Sequence, residues 1–140
     1  MEKMVSPTER ELEILKILWQ KDRATVRQVW RKLSGENKEL SYTTVLSLLQ
    51  TMEKKGLVGH EAAGKAYNYF PEASRGETVR MLAGRFLEKV FDGAMDEYLV
   101  HALDWRNVSL EELDRLEAMI VEAKKKRQSS QPPHEKGDKP

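Results

Sequence analysis

The feature that most constrains this chain is a change of hydrophobic period at Gly56. Before it, apolar side chains recur at helical spacing in three short blocks: Leu12, Leu15, Leu18 and Trp19; then Val26, Val29, Trp30 and Leu33; then Val45, Leu48, Leu49 and Met52. The last two blocks follow i, i+3, i+4, i+7, the stripe that one face of a helix turns toward a core. Gly56 closes the third block, as glycine does past a helix end. A hairpin pattern follows: Leu57 to Glu61 predicts a strand, Ala62-Ala63-Gly64-Lys65 a turn, and Ala66 to Phe70 a second strand. Tyr67 and Tyr69 share one face of that strand, because side chains alternate across it, and Pro71 ends it.

Capping residues mark the helix starts independently of the stripes. Ser6-Pro7-Thr8-Glu9 offers a cap, a proline at the first helical position and a glutamate at the third. Thr25 to Gln28, Ser74 to Glu77 and Ser109 to Glu112 repeat the capping-box spacing, and Ser41 is a plain cap candidate. Beyond Ser74 the chain reads as helical. One stripe runs from Val79 through Leu82, Ala83, Phe86, Leu87 and Val90 to Phe91, and Asp92-Gly93 breaks it. A second comprises Met95, Tyr98, Leu99, Ala102 and Leu103; a third comprises Leu113, Leu116 and Ile120. After Lys124-Lys125-Lys126-Arg127 the composition turns to Ser, Gln, Pro and Lys, too polar to bury a core, and a disordered basic tail is expected over residues 127–140.

Charge divides along the same lines. Residues 1–71 carry 12 basic and 9 acidic side chains, a net of +3; residues 72–123 carry 6 and 12, a net of −6; residues 124–140 carry 6 and 2, a net of +4. A polyanion would be held by the ends of the chain and repelled by its middle. Charge of this size does not by itself specify nucleic acid. With 39% apolar residues and no apolar run near the roughly 20 residues of a membrane span, membrane insertion is not expected. The first ten residues lack the apolar core of a signal peptide, and there is no cysteine, so a cytoplasmic location is the expectation.

Three short amphipathic helices followed by a hairpin is the element order of a winged helix-turn-helix. The expected fold is mainly α with a small β-wing: a DNA-binding domain over 1–71, a helical dimerisation domain over 72–126, and the tail. A major groove about 12 Å wide admits one α-helix. On a helical wheel Val45, Leu48, Leu49 and Met52 take the buried side, and Thr43, Ser47, Gln50 and Lys54 fall opposite, flanked by Thr44 and Thr51. Recognition helices read bases mainly from their N-terminal residues. Tyr42, Thr43, Thr44 and Ser47 are therefore the expected base readers. Lys54, Lys65, Gln50 and Arg27 are the expected backbone contacts, with Arg31, Lys32 and Lys38 as further basic candidates. Each residue also has a plainer reading as a cap, a solvated charge or wing packing; it is the order of elements that favours DNA. The competing reading is a winged-helix protein–protein module without DNA binding.

The segments Glu11 to Trp19, Ala24 to Trp30, Leu40 to Val45, Lys54 to Val58, Phe86 to Gly93 and Val108 to Leu113 together resemble the BlaI/MecI/CopY penicillinase-repressor family over about residues 6–122. The resemblance implies a dimeric repressor on inverted-repeat operators. In that scheme the winged helix reads DNA, the C-terminal helices dimerise, and a membrane-bound sensor peptidase triggers cleavage to relieve repression. Two departures stand out. The copper-responsive members carry a C-terminal cysteine metal site, and this chain has no cysteine. The Asn-Phe bond cut in β-lactam-responsive members is matched here by Val100-His101-Ala102-Leu103, which makes His101 and Ala102 the corresponding regulatory position without the bond itself.

Dimerisation also follows from the stripes. The helices after Ser74 are too few and too short to enclose Phe86, Leu87, Val90, Phe91, Tyr98, Leu99 and Leu103, and a two-fold partner is the commonest solution. Chemistry is not expected. His60, His101 and His134 are scattered, Glu111-Glu112 suits a helix N-terminus, and no phosphate loop, dinucleotide fingerprint or nucleophile motif is present. The expectation is a protein without catalytic residues, metal or cofactor.

Overall fold

The computed structural model describes residues 5–35 and 39–130. The chain divides into two compact units, Met1–Gly93 and Ala94–Pro140. The first contains α1 (Glu9–Lys21), β1 (Ala24–Thr25), α2 (Val26–Ser34), α3 (Tyr42–Lys54), β2 (Val58–Ala63), β3 (Ala66–Pro71) and α4 (Arg75–Phe91). The second contains α5 (Met95–Trp105) and α6 (Leu110–Ser130). The division falls after Gly93, so α4 belongs with the winged helix in compactness, whereas the sequence placed residues 72–126 together.

Local signals set the helix ends. Thr8, not Ser6, caps α1: its Oγ1 accepts from the Glu11 amide at 3.2 Å and the Glu11 carboxylate accepts from the Thr8 amide at 2.9 Å, a complete capping box. Thr25 and Gln28 close the same box on α2. Ser41 caps α3 through the Thr44 amide, and Ser74 caps α4 through the Glu77 amide. Ser109 accepts from the Glu112 amide at 3.1 Å, but the Glu112 carboxylate turns to Arg106 at 2.7 Å instead of completing a box. α3 ends in a Schellman turn. Gly56 has φ +84°, its amide donates to the Glu53 carbonyl, and the Leu57 amide donates to that of Met52. α6 continues through Ser130, past Arg127, where the sequence placed the start of a disordered tail.

The three strands form an antiparallel sheet in the order β1-β3-β2. β2 and β3 pair from Val58↔Pro71 to Ala63↔Ala66, which leaves a turn of only Gly64 and Lys65, tighter than the four residues expected. Gly64 has φ +65°, a conformation glycine adopts without a Cβ penalty. β1 pairs Ala24 with Tyr69 and Thr25 with Asn68, and was not foreseen. Below the sheet lies one core in which Ile14, Leu15 and Leu18 of α1, Val29 of α2, and Val45, Leu49 and Met52 of α3 are fully buried. Each such side chain gains roughly 1.5–3 kcal/mol from leaving water. Leu48, expected among them, is only partly buried and packs at the margin.

Two polar ties lock this core. Glu11, 2% exposed, takes the Lys55 ammonium at 2.8 and 3.0 Å and joins the start of α1 to the end of α3. Burial alone would raise its carboxyl pKa, but the hydrogen bonds from Lys55 and Thr8 and the lysine charge outweigh that and hold it below its ordinary value. The Trp19 indole donates to the Ala73 carbonyl at 2.8 Å, fixing α1 to the segment that enters α4.

Candidate nucleic-acid interface

α3 owes its place to a two-sided pattern. Val45, Leu49 and Met52 are fully buried, while Thr43, Thr44, Ser47, Gln50, Thr51 and Lys54 are exposed. The polar face is therefore presented on a helix whose opposite face the core holds rigid. α2 stands before it as the first helix of the helix-turn-helix. The Trp30 indole donates to the Leu40 carbonyl at 2.9 Å, which pins the connection just before the Ser41 cap.

The four expected base readers are not equivalent. Thr43 and Ser47 project from the exposed face. Thr44 is exposed, but its Oγ1 lies 2.9 Å from the Ser41 hydroxyl, so its hydroxyl is already oriented by the helix cap. Tyr42 packs edge-on against Trp30, with ring centroids 5.9 Å apart, and the Arg27 guanidinium lies 5.6 Å from its centre. It is an aromatic bridge between α2 and α3 that keeps 38% of its surface open.

The four expected backbone contacts come together. Arg27, Gln50, Lys54 and Lys65 all line one groove of about 1020 Å³ between α2, α3 and the wing, with Tyr42, Tyr67 and Tyr69 in its walls. Lys65 sits at the hairpin turn, the outermost point of the wing. Arg31 and Lys32 lie on the last turn of α2 and outside this groove, and Lys38 and His134 fall outside the described residues.

The sequence did not reveal the pair that sits among these cations. His60 on β2 holds its Nδ1 2.7 and 2.9 Å from the two oxygens of Glu53 on α3, and both side chains line the groove. His60 also stands beside Tyr67 and Tyr69, at 4.6 and 5.3 Å between ring centres. On the far side of the wing Gly59 passes under Phe70, where an added Cβ would come within 2.8 Å of the ring. Arg23 covers Phe70 at 5.3 Å and pairs with Glu61.

A trihelical core, a helix with an exposed polar face, and a hairpin carrying a lysine at its tip define a winged helix-turn-helix protein. The sequence model of the family described as Penicillinase repressor matches residues 7–122, and the chain belongs to that family. Among known proteins it is similar to the penicillinase repressor of Bacillus licheniformis, at 24% identity over 91% of this chain and 98% of that one. It is also similar to the transcriptional regulator BlaI of Mycobacterium tuberculosis, at 33% identity over 87% of this chain and 88% of that one. The solution structure of the DNA binding domain of the repressor BlaI aligns with a TM-score of 0.48 at 26% identity, covering 55% of this chain and 93% of that domain.

Proposed function

We propose that this chain is a sequence-specific DNA-binding transcriptional repressor that acts in the cytoplasm and grips inverted-repeat operators as a homodimer. The observation that carries this reading is the juxtaposition on one side of the first unit. The exposed face of α3 stands beside a groove that gathers Arg27, Gln50, Lys54 and Lys65. Thr43, Thr44 and Ser47, with Tyr42 at the helix start, read base edges from the N-terminal turns of α3. The groove residues hold the phosphate backbone, which positions the helix without carrying sequence information.

The homodimer is supported by what the C-terminal helices leave uncovered. α5 and α6 contain no buried residue, and α4 buries only Thr78. Phe86, Val90, Tyr98 and Leu103 are exposed, while Leu87, Phe91 and Leu99 are half-buried. A two-fold partner is the commonest way to cover such faces, and dimeric helix-turn-helix proteins bind half-sites about one DNA turn, or a multiple of it, apart.

Relief of repression by a membrane-bound sensor peptidase is the family scheme. His101 and Ala102 lie within α5, and a bond inside a hydrogen-bonded helix is cut only when the helix opens locally. No catalytic residue or cofactor is assigned to the chain.

Binding to mixed-sequence duplex measured against salt tests the reading. Log affinity should fall linearly with log salt, by about 0.9 for each phosphate neutralised. Selection of bound fragments from random DNA should then return an inverted repeat. Absence of duplex binding at low salt would overturn the repressor in favour of a protein–protein module. Sedimentation of the full chain at micromolar concentration should show two copies.

A further inference from the structure

The groove that gathers the phosphate-binding cations also contains one carboxylate, and that carboxylate has a histidine on it. Among the described residues that line the groove Glu53 is the only acid; the cations around it are Arg27 from α2, Lys54 from α3 and Lys65 from the wing turn. Both members of the pair are about one-third exposed, so solvent and an approaching phosphate can reach them. A carboxylate only accepts hydrogen bonds, so the His60 Nδ1 facing it carries the hydrogen. The second ring nitrogen then decides whether the pair is neutral or carries a charge of −1.

The other groups near His60 do not offer a competing charge change. Tyr69 opposes it across the ladder, and burial, followed by the nearby Glu53 charge, raises its pKa, so its phenol stays neutral. Tyr67 contributes an aromatic face. Glu61, next in sequence on β2, is paired with Arg23.

We propose that Glu53 and His60 form a proton-taking pair in the DNA groove: protonated His60 cancels the Glu53 charge, and duplex binding draws a proton onto it. The inference rests on the repressor reading and adds a positioning pair that tunes DNA affinity by charge. A bare carboxylate among phosphates is repelled, whereas a neutral pair is not, and the same pair ties the wing to α3. The sign follows directly. The protonated state binds DNA better, so affinity is highest on the acid side of the range where histidines lose their proton, and falls as pH rises through it.

The test uses the full chain and a labelled mixed-sequence duplex at fixed salt, near about pH 6 and about pH 8. The wild type should bind roughly three- to tenfold tighter at the lower pH. Glu53→Gln retains an acceptor for His60 and removes the charge. It should bind more tightly than wild type near the higher pH. His60→Gln should bind weakly at both values, and adding Glu53→Gln to it should restore affinity. His101 and His134 are present in every variant, so whatever they contribute is common to all of them.

If the pair only anchors the wing, Glu53→Gln weakens binding or leaves it unchanged, and His60→Gln keeps the wild-type pH profile. Either result overturns the inference while the repressor reading stands. Failure of the wild type to bind any duplex overturns both.

Discussion

The first three helices and the last two carry apolar stripes of the same kind, yet the two regions are covered differently. In α1 to α3 the stripes converge under a small sheet, and side chains such as Leu15, Val29 and Leu49 are wholly buried. In α5 and α6 no residue is buried, and Val100, Leu110 and Met119 stand open. An apolar stripe is a demand for a covering surface and carries no information about which chain supplies it. The hairpin makes the difference in the first region. β1 to β3 bring Ala24, Val58 and Tyr69 onto the helices, so three short helices become a closed core.

The largest effects should separate the two regions. Leu49→Ala removes a fully buried side chain and should cost about 2–5 kcal/mol in denaturant unfolding. Leu103→Ala, on an exposed position of α5, should cost the single chain less than about 1 kcal/mol and instead weaken self-association in sedimentation. Equal losses of stability at low protein concentration would erase the contrast.

Next comes Glu11→Gln, which breaks the tie between α1 and α3 and should cost on the order of 1–3 kcal/mol near neutral pH. The Glu11 pKa is lowered in the folded state, so its contribution is complete above the unfolded value and disappears as pH falls through the folded one. Wild type and variant should therefore converge in acid, while a constant offset across pH would show that the charge is irrelevant.

On stability the smallest effects belong to the exposed interface, whose substitutions are read in DNA binding instead. Thr44→Ala should lose about 1–3 kcal/mol on the selected operator and relax specificity there. Its bond to Ser41 means that part of this loss reflects the cap, which a mixed-sequence duplex would also report. Lys65→Ala should weaken all sequences alike and reduce the salt slope by about 1.

Most helix starts were legible because a cap is a local device, complete within four residues. The first start shows the limit. Ser6 to Glu9 and Thr8 to Glu11 have the same spacing, and Glu11 is selected by a lysine 44 residues away, which no local pattern contains. β1 was invisible for the same reason: two residues become a strand only because β3 arrives beside them. The end of α6 misled in the other direction. Its last residues are too polar to bury a core, but extending an existing helix avoids the cost of nucleation, and Lys, Arg and Gln are good helix formers. At the interface the cations could be listed from the sequence, since exposed charges on a helix face and a turn are visible there. Their convergence on one groove could not, nor could the contact between Glu53 and His60 across the α3-to-wing turn.

The three tryptophans sit in three different surroundings. Trp19 and Trp30 are partly buried and hydrogen-bonded, beside α4 and beside the start of α3, whereas Trp105 at the end of α5 is 87% exposed. Indole emission moves to shorter wavelength as water leaves the ring. Trp105 thus starts at the red end of its range and would shift most if a second copy covered α5, as proposed, while Trp30 would change most if duplex settled against Tyr42. With single-tryptophan variants, assembly and DNA engagement become two separable optical signals from an unlabelled protein.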